Sequence, residues 1–475
     1  MNHSVSMLRI ALVVVPLVVI CAFASAEEQK AKPKTCVTSP DDVAGLNEAA
    51  STNVNAIRDF KITAHHMLEQ EKFGQLDCLA NSLRTSKERF PGGLWKLHSL
   101  YIGLSTPPLH PTAQDWAKHM ALVNAWVARN PRSITARIVL AESYNNYGAD
   151  ARGTGFADTV SASGWKMLAE SSHKAKNVLD QATKLPKKCP EWYYAMQLVV
   201  PDLDWEPARR RALLDEAIKF EPGYFYNYRI FARYTQTQWG GEPGETKKFL
   251  QEEADKIGGE DGDIVYFQVA NELICGCGSD SDLNLSWPRI KSGFAATEKK
   301  YGTSMENLNL MASMARAFND AVLANKLFQR IGEQWSEAKW GSSAYYDGAR
   351  QWAKAMAPIQ EKQQAVEESA AAAEATPEGM RYKAVVVEKF HEWAQACLDE
   401  MGSDSYKSEW IVQISPEGRV EHMFHQGSSV IMNCLGQKLA DIHTKNEAPF
   451  PPAPKPDYWV RFDFDPADFS RTAAK

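Results

Sequence analysis

Two stretches decide the fold: Leu179-Asp180-Gln181-Ala182, followed by Leu185-Pro186 and Trp192-Tyr193-Tyr194, and, 35 residues later, Leu214-Asp215-Glu216-Ala217, followed by Phe220-Glu221-Pro222 and Tyr224-Phe225-Tyr226. Each copy puts a small residue on one helix, a proline in the turn and an aromatic residue at the opening of the next helix. A repeat of about 34 residues with that content is the pattern of tetratricopeptide-type helical hairpins. A looser third copy runs from Ala312 to Ile331, where Asn319-Asp320 makes a short turn before Ala324, Leu327 and Phe328. Such hairpins bury their apolar stripe only by stacking, so the expected product is a curved solenoid with a concave face.

Working outward, nearly every segment between about 46 and 357 places apolar residues at i, i+3, i+4 and i+7, with breaks such as Arg89-Phe90-Pro91-Gly92-Gly93 and Asn130-Pro131. No period-2 strand stands out there, and 46–357 is expected to be the helical-repeat domain. From 358 to 380 the composition turns to Gln, Glu and Ala, with the run Glu367-Glu368-Ser369-Ala370-Ala371-Ala372-Ala373-Glu374. That reads as a helical tail fading into a linker that Thr376-Pro377-Glu378-Gly379 ends. Beyond it the rhythm changes. Ala384 to Met401 is helical by period, Glu409 to Ile414 alternates as a strand, Ser415-Pro416-Glu417-Gly418 turns the chain, and Arg419 to Phe424 is a second strand. Ser428 to His443 reads as a helix, Phe450-Pro451-Pro452-Ala453-Pro454 as extended chain, and Tyr458 to Phe464 as a last strand. The expected fold is therefore mainly α, a tetratricopeptide-like helical-repeat solenoid with a small carboxy-terminal α+β domain over 381–470.

At the amino terminus Arg9 precedes an apolar run from Ile10 to Ala24, then Ala24-Ser25-Ala26 and Glu27-Glu28. This is the form of a secretory signal with an A-x-A cleavage site, so 1–26 is expected to be removed and no membrane span to remain. The competing reading is an uncleaved anchor, although the run falls short of the roughly 20 residues that span a bilayer. Residues 27–45 read as a polar linker. Export places the chain in the periplasm or outside the cell, an oxidising compartment in which Cys36, Cys78, Cys189, Cys275, Cys277, Cys397 and Cys434 can pair, one being left over. With 53 Lys and Arg against 59 Asp and Glu in 475 residues, and no long basic run, the chain lacks a surface that tracks nucleic-acid phosphates.

Two family resemblances follow. Trp126 with Asn130-Pro131-Arg132-Ser133 and Ala136, Ala151-Arg152-Gly153, Trp165, Tyr224 to Tyr228 and Trp239-Gly240-Gly241-Glu242 make residues 90–355 similar to the bacterial domain of unknown function 4034, a family with no activity to transfer. The last ~90 residues resemble the carboxy-terminal domain of TonB-like proteins through Cys397, the Ser415 to Val420 hairpin, Ser428-Ser429, Cys434, Phe450 to Pro454 and Trp459 to Phe464 before Pro466. That resemblance implies an envelope binding module whose sheet edge pairs with a partner strand. The chain departs from an energy transducer in lacking a long Pro-rich periplasm-spanning segment. Cys397 and Cys434 enclose a loop of about 36 residues, whose closure stabilises by roughly 3 to 4 kcal/mol; the alternative is two buried thiols.

Candidate sites are few. His65-His66 with Glu69 and Glu71 lacks the two-His i, i+4 pair of a zinc helix, and His422 and His425 fall on opposite faces of a strand. Cys275-Gly276-Cys277 has no second pair to complete a zinc site. No metal or cofactor is expected. Glu142, Asp150, Arg152 and Asp158 crowd a Tyr- and Gly-rich stretch and would carry hydrolytic chemistry if two carboxylates converged in a solvent-lined pocket. Aromatic residues suit recognition better, and Trp192, Tyr194, Tyr226, Tyr228 and Trp239 with Arg152 are the expected binding set. Packing between helices is the plain alternative for them. The expected role is that of an exported, non-catalytic envelope scaffold that binds envelope proteins. The alternatives are a periplasmic hydrolase or processing accessory and a membrane-anchored TonB-like transducer.

Overall fold

The computed structural model describes residues 36–37, 39–47, 53–107, 111–203, 205–274, 285–401, 408–426 and 430–465; the signal reading at 1–26 and the Cys275-Gly276-Cys277 stretch lie outside them. The first helices are α1 (Pro40–Asn47), α2 (Ala56–Glu69), α3 (Phe73–Ser86), α4 (Lys96–Ser105), α5 (Ala113–Arg129) and α6 (Ile134–Arg152). They are followed by α7 (Ala162–Ala182), α8 (Pro190–Val199), α9 (Pro207–Phe220), α10 (Tyr226–Arg233), α11 (Glu245–Ile257) and α12 (Gly259–Ile274). Next come α13 (Trp287–Tyr301), α14 (Met305–Ala317), α15 (Ala321–Ile331), α16 (Glu337–Trp340) and α17 (Ser343–Glu374). Helix α18 (Pro377–Met401), strands β1 (Ser408–Ile414) and β2 (Val420–Gln426), α19 (Val430–Thr444) and β3 (Tyr458–Phe464) complete the chain.

Local chemistry sets many of these boundaries. Thr112 and Asp115 form a reciprocal capping box at the start of α5, and Ser133, Ser161, Ser304 and Asp320 each accept a first-turn N–H at the start of their helices. Pro190 and Pro207 take the first position of α8 and α9, where a missing N–H costs nothing. The two repeat copies become the pairs α7–α8 and α9–α10. Leu179, Ala182, Leu214 and Ala217 are all buried where each first helix meets the second. Helices α2, α4, α6, α8, α10 and α12 pack each on the next in one row, and a single apolar core runs from Val37 to Ala353.

The described parts of both expected linkers contain helix. Within 27–45, Pro40 opens α1, whose Leu46 is buried and whose Asp42 is ion-paired to Lys72, and the Cys36–Cys78 bond ties this end to α3. Within 358–380, α17 runs unbroken through Pro358 to Glu374. Its first half packs on α15, and its second half lays Val366 and Ala370 on Ile411 and Trp459 of the sheet. A Gln-, Glu- and Ala-rich segment has a weak apolar stripe of its own; the sheet face supplies what stabilises it.

The sheet is antiparallel in the order β2-β1-β3. Trp410, Val412 and Ile414 of β1 stand opposite Phe462, Val460 and Tyr458 of β3 and bury one face against Phe390 and Trp393 of α18 and Leu435 and Leu439 of α19. Helix α17 lies on the other face against β3 and β1, and among the described residues the outer edges of β2 and β3 are unpaired. Gly418, at φ +84°, makes the β1–β2 turn; a Cβ there would sit 1.9 Å from the carbonyl oxygen of Phe450. Cys397 and Cys434 are bonded, joining α18 to α19. Among the described residues no helix is long and apolar enough to cross a membrane.

Candidate functional site

The expected aromatic set disperses. Tyr226 and Tyr228 are core residues: the Tyr226 hydroxyl accepts the Trp95 N–H at 3.1 Å, and the Tyr228 hydroxyl donates to the Pro222 carbonyl at 3.2 Å. Trp192 is half-buried and donates its ring N–H to the Leu179 carbonyl at 3.0 Å. Trp239 is exposed beside Tyr234, next to Gly240 at φ +89°. Arg152 lies on the surface, bonded to the carbonyls of Gly153 and Gly155 and 5.2 Å from the Trp165 ring. Only Tyr194 and Tyr226 meet, on either side of His98, at ring separations of 4.9 and 3.6 Å. The aromatics that open α8 and α10 turn into the helix row because each opening is covered by a neighbouring helix.

That same place holds a carboxyl pair. Glu142 on α6 faces Glu191 in the first turn of α8, 2% and 0% exposed. Glu191 accepts from the Tyr224 hydroxyl and from Nδ1 of His98 at 2.8 Å. Besides what Glu191 can offer when protonated, Glu142 has only the buried Ser105 hydroxyl near it, which partly offsets the cost of burying its charge. Burial raises both carboxyls, Glu191 to about 8, because two carboxylates in one dry site cannot both ionise. His98 is pushed well below the usual imidazole range by burial and by the nearby Lys61 and Arg229 cations, so it meets Glu191 as a neutral hydrogen-bond donor. The arrangement favours the protonated form of both carboxyls and is closed to solvent.

The carboxylates grouped from sequence with Glu142 do not join it. Asp150 lies eight residues, about 12 Å, further along α6 and accepts the Trp116 ring N–H at 2.9 Å, while Asp158 is exposed in a short 3-10 turn. Glu191, His98 and Tyr224 were missed, being 49, 44 and 82 residues from Glu142 in sequence, and a Glu in a helix first turn reads as ordinary dipole pairing.

A groove of about 550 Å3 lies where α13, α15 and α17 meet the sheet. Trp287, Phe318, Ile411 and Phe424 give it apolar walls, and Gln363 and Gln364 of α17 set amides along it. It runs to β2, whose outer main-chain edge is unpaired among the described residues.

His65 pairs loosely with Glu69 at 4.0 Å and stacks on His119 rather than on His66, and by register His422 and His425 stand opposite Gln413 and Trp410, on different faces. Among the described residues no group of three or more His, Cys, Asp or Glu is placed to hold a metal. Compared with protein-family models, with curated proteins and with solved structures, the chain finds no match.

Proposed function

We propose that this chain is an exported scaffold of the bacterial envelope, a tetratricopeptide-like helical-repeat platform carrying a TonB-like α+β module that holds an extended segment of an envelope protein. The observation that supports this most is the groove beside β2. Its apolar walls take alternate side chains of an extended peptide, the Gln amides both donate to and accept from a main chain, and the open strand edge continues the same track. Disulfides at Cys36–Cys78 and Cys397–Cys434 fit an oxidising compartment.

The hydrolase reading has less behind it: Glu142 and Glu191 are sealed from solvent, and Asp150, Arg152 and Asp158 are engaged or exposed elsewhere. The test places a photocrosslinking residue at exposed Gln364 and, as a control, at Lys354, an exposed position of α17 outside the groove. Envelope fractions are expected to give a discrete protein adduct from 364 and none from 354, lost when soluble strand peptides from that adduct compete. Equal labelling from both positions, or none from either, refutes the reading.

A further inference from the structure

A second cavity, of about 440 Å3, opens between α3 and the start of α6, bounded by the Asn130-Pro131-Arg132-Ser133 turn and by Lys187 ahead of α8. Its charge is uneven. Arg84 forms the floor with Thr135, and its hydrogen bonds go to neutral groups: the Tyr101 hydroxyl at 2.9 Å, Asn81 Oδ1 at 2.7 Å and Thr135 Oγ1 at 3.2 Å. At the rim, the Lys187 ammonium donates only to Asn81 Oδ1 at 3.1 Å, and Arg132 has no hydrogen bond or ion pair among the described residues. Arg129 adds a fourth cation, paired outward to Glu71. The one carboxylate in the lining, Asp77, is filled by neutral donors, accepting from Asn130 Nδ2 at 2.7 Å, from the Trp126 ring N–H at 3.4 Å and from the Ser133 hydroxyl. Arg84, Arg132 and Lys187 thus face one cavity without a hydrogen bond to a carboxylate, Asp77 acting on Arg84 only through space, in a chain whose net charge is −6.

A half-buried guanidinium whose hydrogen bonds go to neutral acceptors, with one carboxylate offsetting it through space, leaves the cavity net positive beside Arg132 and Lys187, and a bound anion meets that excess. We propose that this cavity binds a phosphoryl group. Three cations exceed the single charge of a carboxylate, whereas a phosphomonoester brings close to two charges and three strong acceptor oxygens. The Arg84 and Arg132 forks suit bidentate contact, and Lys187 serves as a point charge. The first turn of α6 adds its positive dipole end to what the cations supply. The volume holds a phosphoryl group together with the moiety that bears it. This assignment stands on residues 77–187 and is independent of the groove beside the sheet.

The test measures binding of inorganic phosphate, glycerol 3-phosphate and vesicles containing phosphatidic acid, whose headgroup is a phosphomonoester, to the full chain and to the exposed double variant Arg132→Gln/Lys187→Gln, which leaves Arg84 and its structural bonds in place. Phosphate or glycerol 3-phosphate is expected to bind, more weakly as salt rises, with affinity falling about tenfold or more in the double variant. Vesicle binding that the double variant abolishes and inorganic phosphate displaces assigns the group to a lipid headgroup. Binding unchanged in the double variant, vesicle binding that phosphate does not displace, or no binding of any of the three probes overturns the proposal.

Discussion

Replacing Glu142 by Gln removes one of the two carboxyls whose burial draws a proton into the core, and the consequence is a change in how stability depends on pH. A carboxyl raised above its unfolded value near 4.5 is neutral in the fold while the unfolded chain has lost the proton. Its contribution is fully present below pH ~4.5 and is lost as pH rises toward the folded value. A proton held only by the folded state makes stability fall as pH rises, by on the order of 1 kcal/mol per pH unit, so above about pH 5 the wild type is expected to lose stability more steeply than Glu142→Gln. His98 and His119, the latter lowered to about 4 by burial and by the neighbouring His65, act with the opposite sign, since each must charge on unfolding below about pH 6.5. Both histidines are present in the two proteins and cancel in the difference. Urea unfolding followed by circular dichroism at several pH values reads that difference directly. Parallel curves would mean that Glu142 ionises within the fold, and the reading that burial keeps both carboxyls protonated would have to be abandoned.

Cys397→Ser is expected to lower stability of the carboxy-terminal core by about 4 kcal/mol, from closure of the loop between residues 37 apart, and in a Cys36→Ser/Cys78→Ser background, where no other disulfide is described, a reducing agent should reproduce that loss but add nothing once Cys397→Ser is also present. Gly103→Ala places a Cβ 2.6 Å from the Lys61 carbonyl oxygen, where α2 and α4 cross. Prising the helices apart should cost about 1 to 3 kcal/mol in urea unfolding, and an unchanged midpoint would show that the crossing is slack.

The helical part was legible wherever a local signal existed. The Leu179 and Leu214 copies are helix pairs whose first helices end at Ala182 and Phe220, and Tyr458 to Phe464 is β3. The segment from 358 to 374 was misread because its few apolar residues, Val366 and Ala370, look weak until Ile411 and Trp459 lie beneath them. The aromatic set was overvalued for a similar reason: helical spacing places Tyr226 and Tyr228 on a face but cannot say that the face is covered. The Glu142 reading found half of a pair, since its partner enters from another helix.

What the sequence by itself determined is the part of the structure that neighbours along the chain control: helix starts at Ser, Thr, Asp and Pro, the hairpin turn at Gly418, the α-β-β-α-β order and the apolar periods. What only the tertiary structure decided is which charges meet. The Glu142–Glu191 proton site, the cations of Arg84, Arg132 and Lys187 around one cavity, and the groove beside β2 each draw on residues from several elements. Hydrophobic periodicity is a short-range property of the chain, whereas desolvation and Coulomb interaction depend on distance in space, and those distances exist only once the helices have packed.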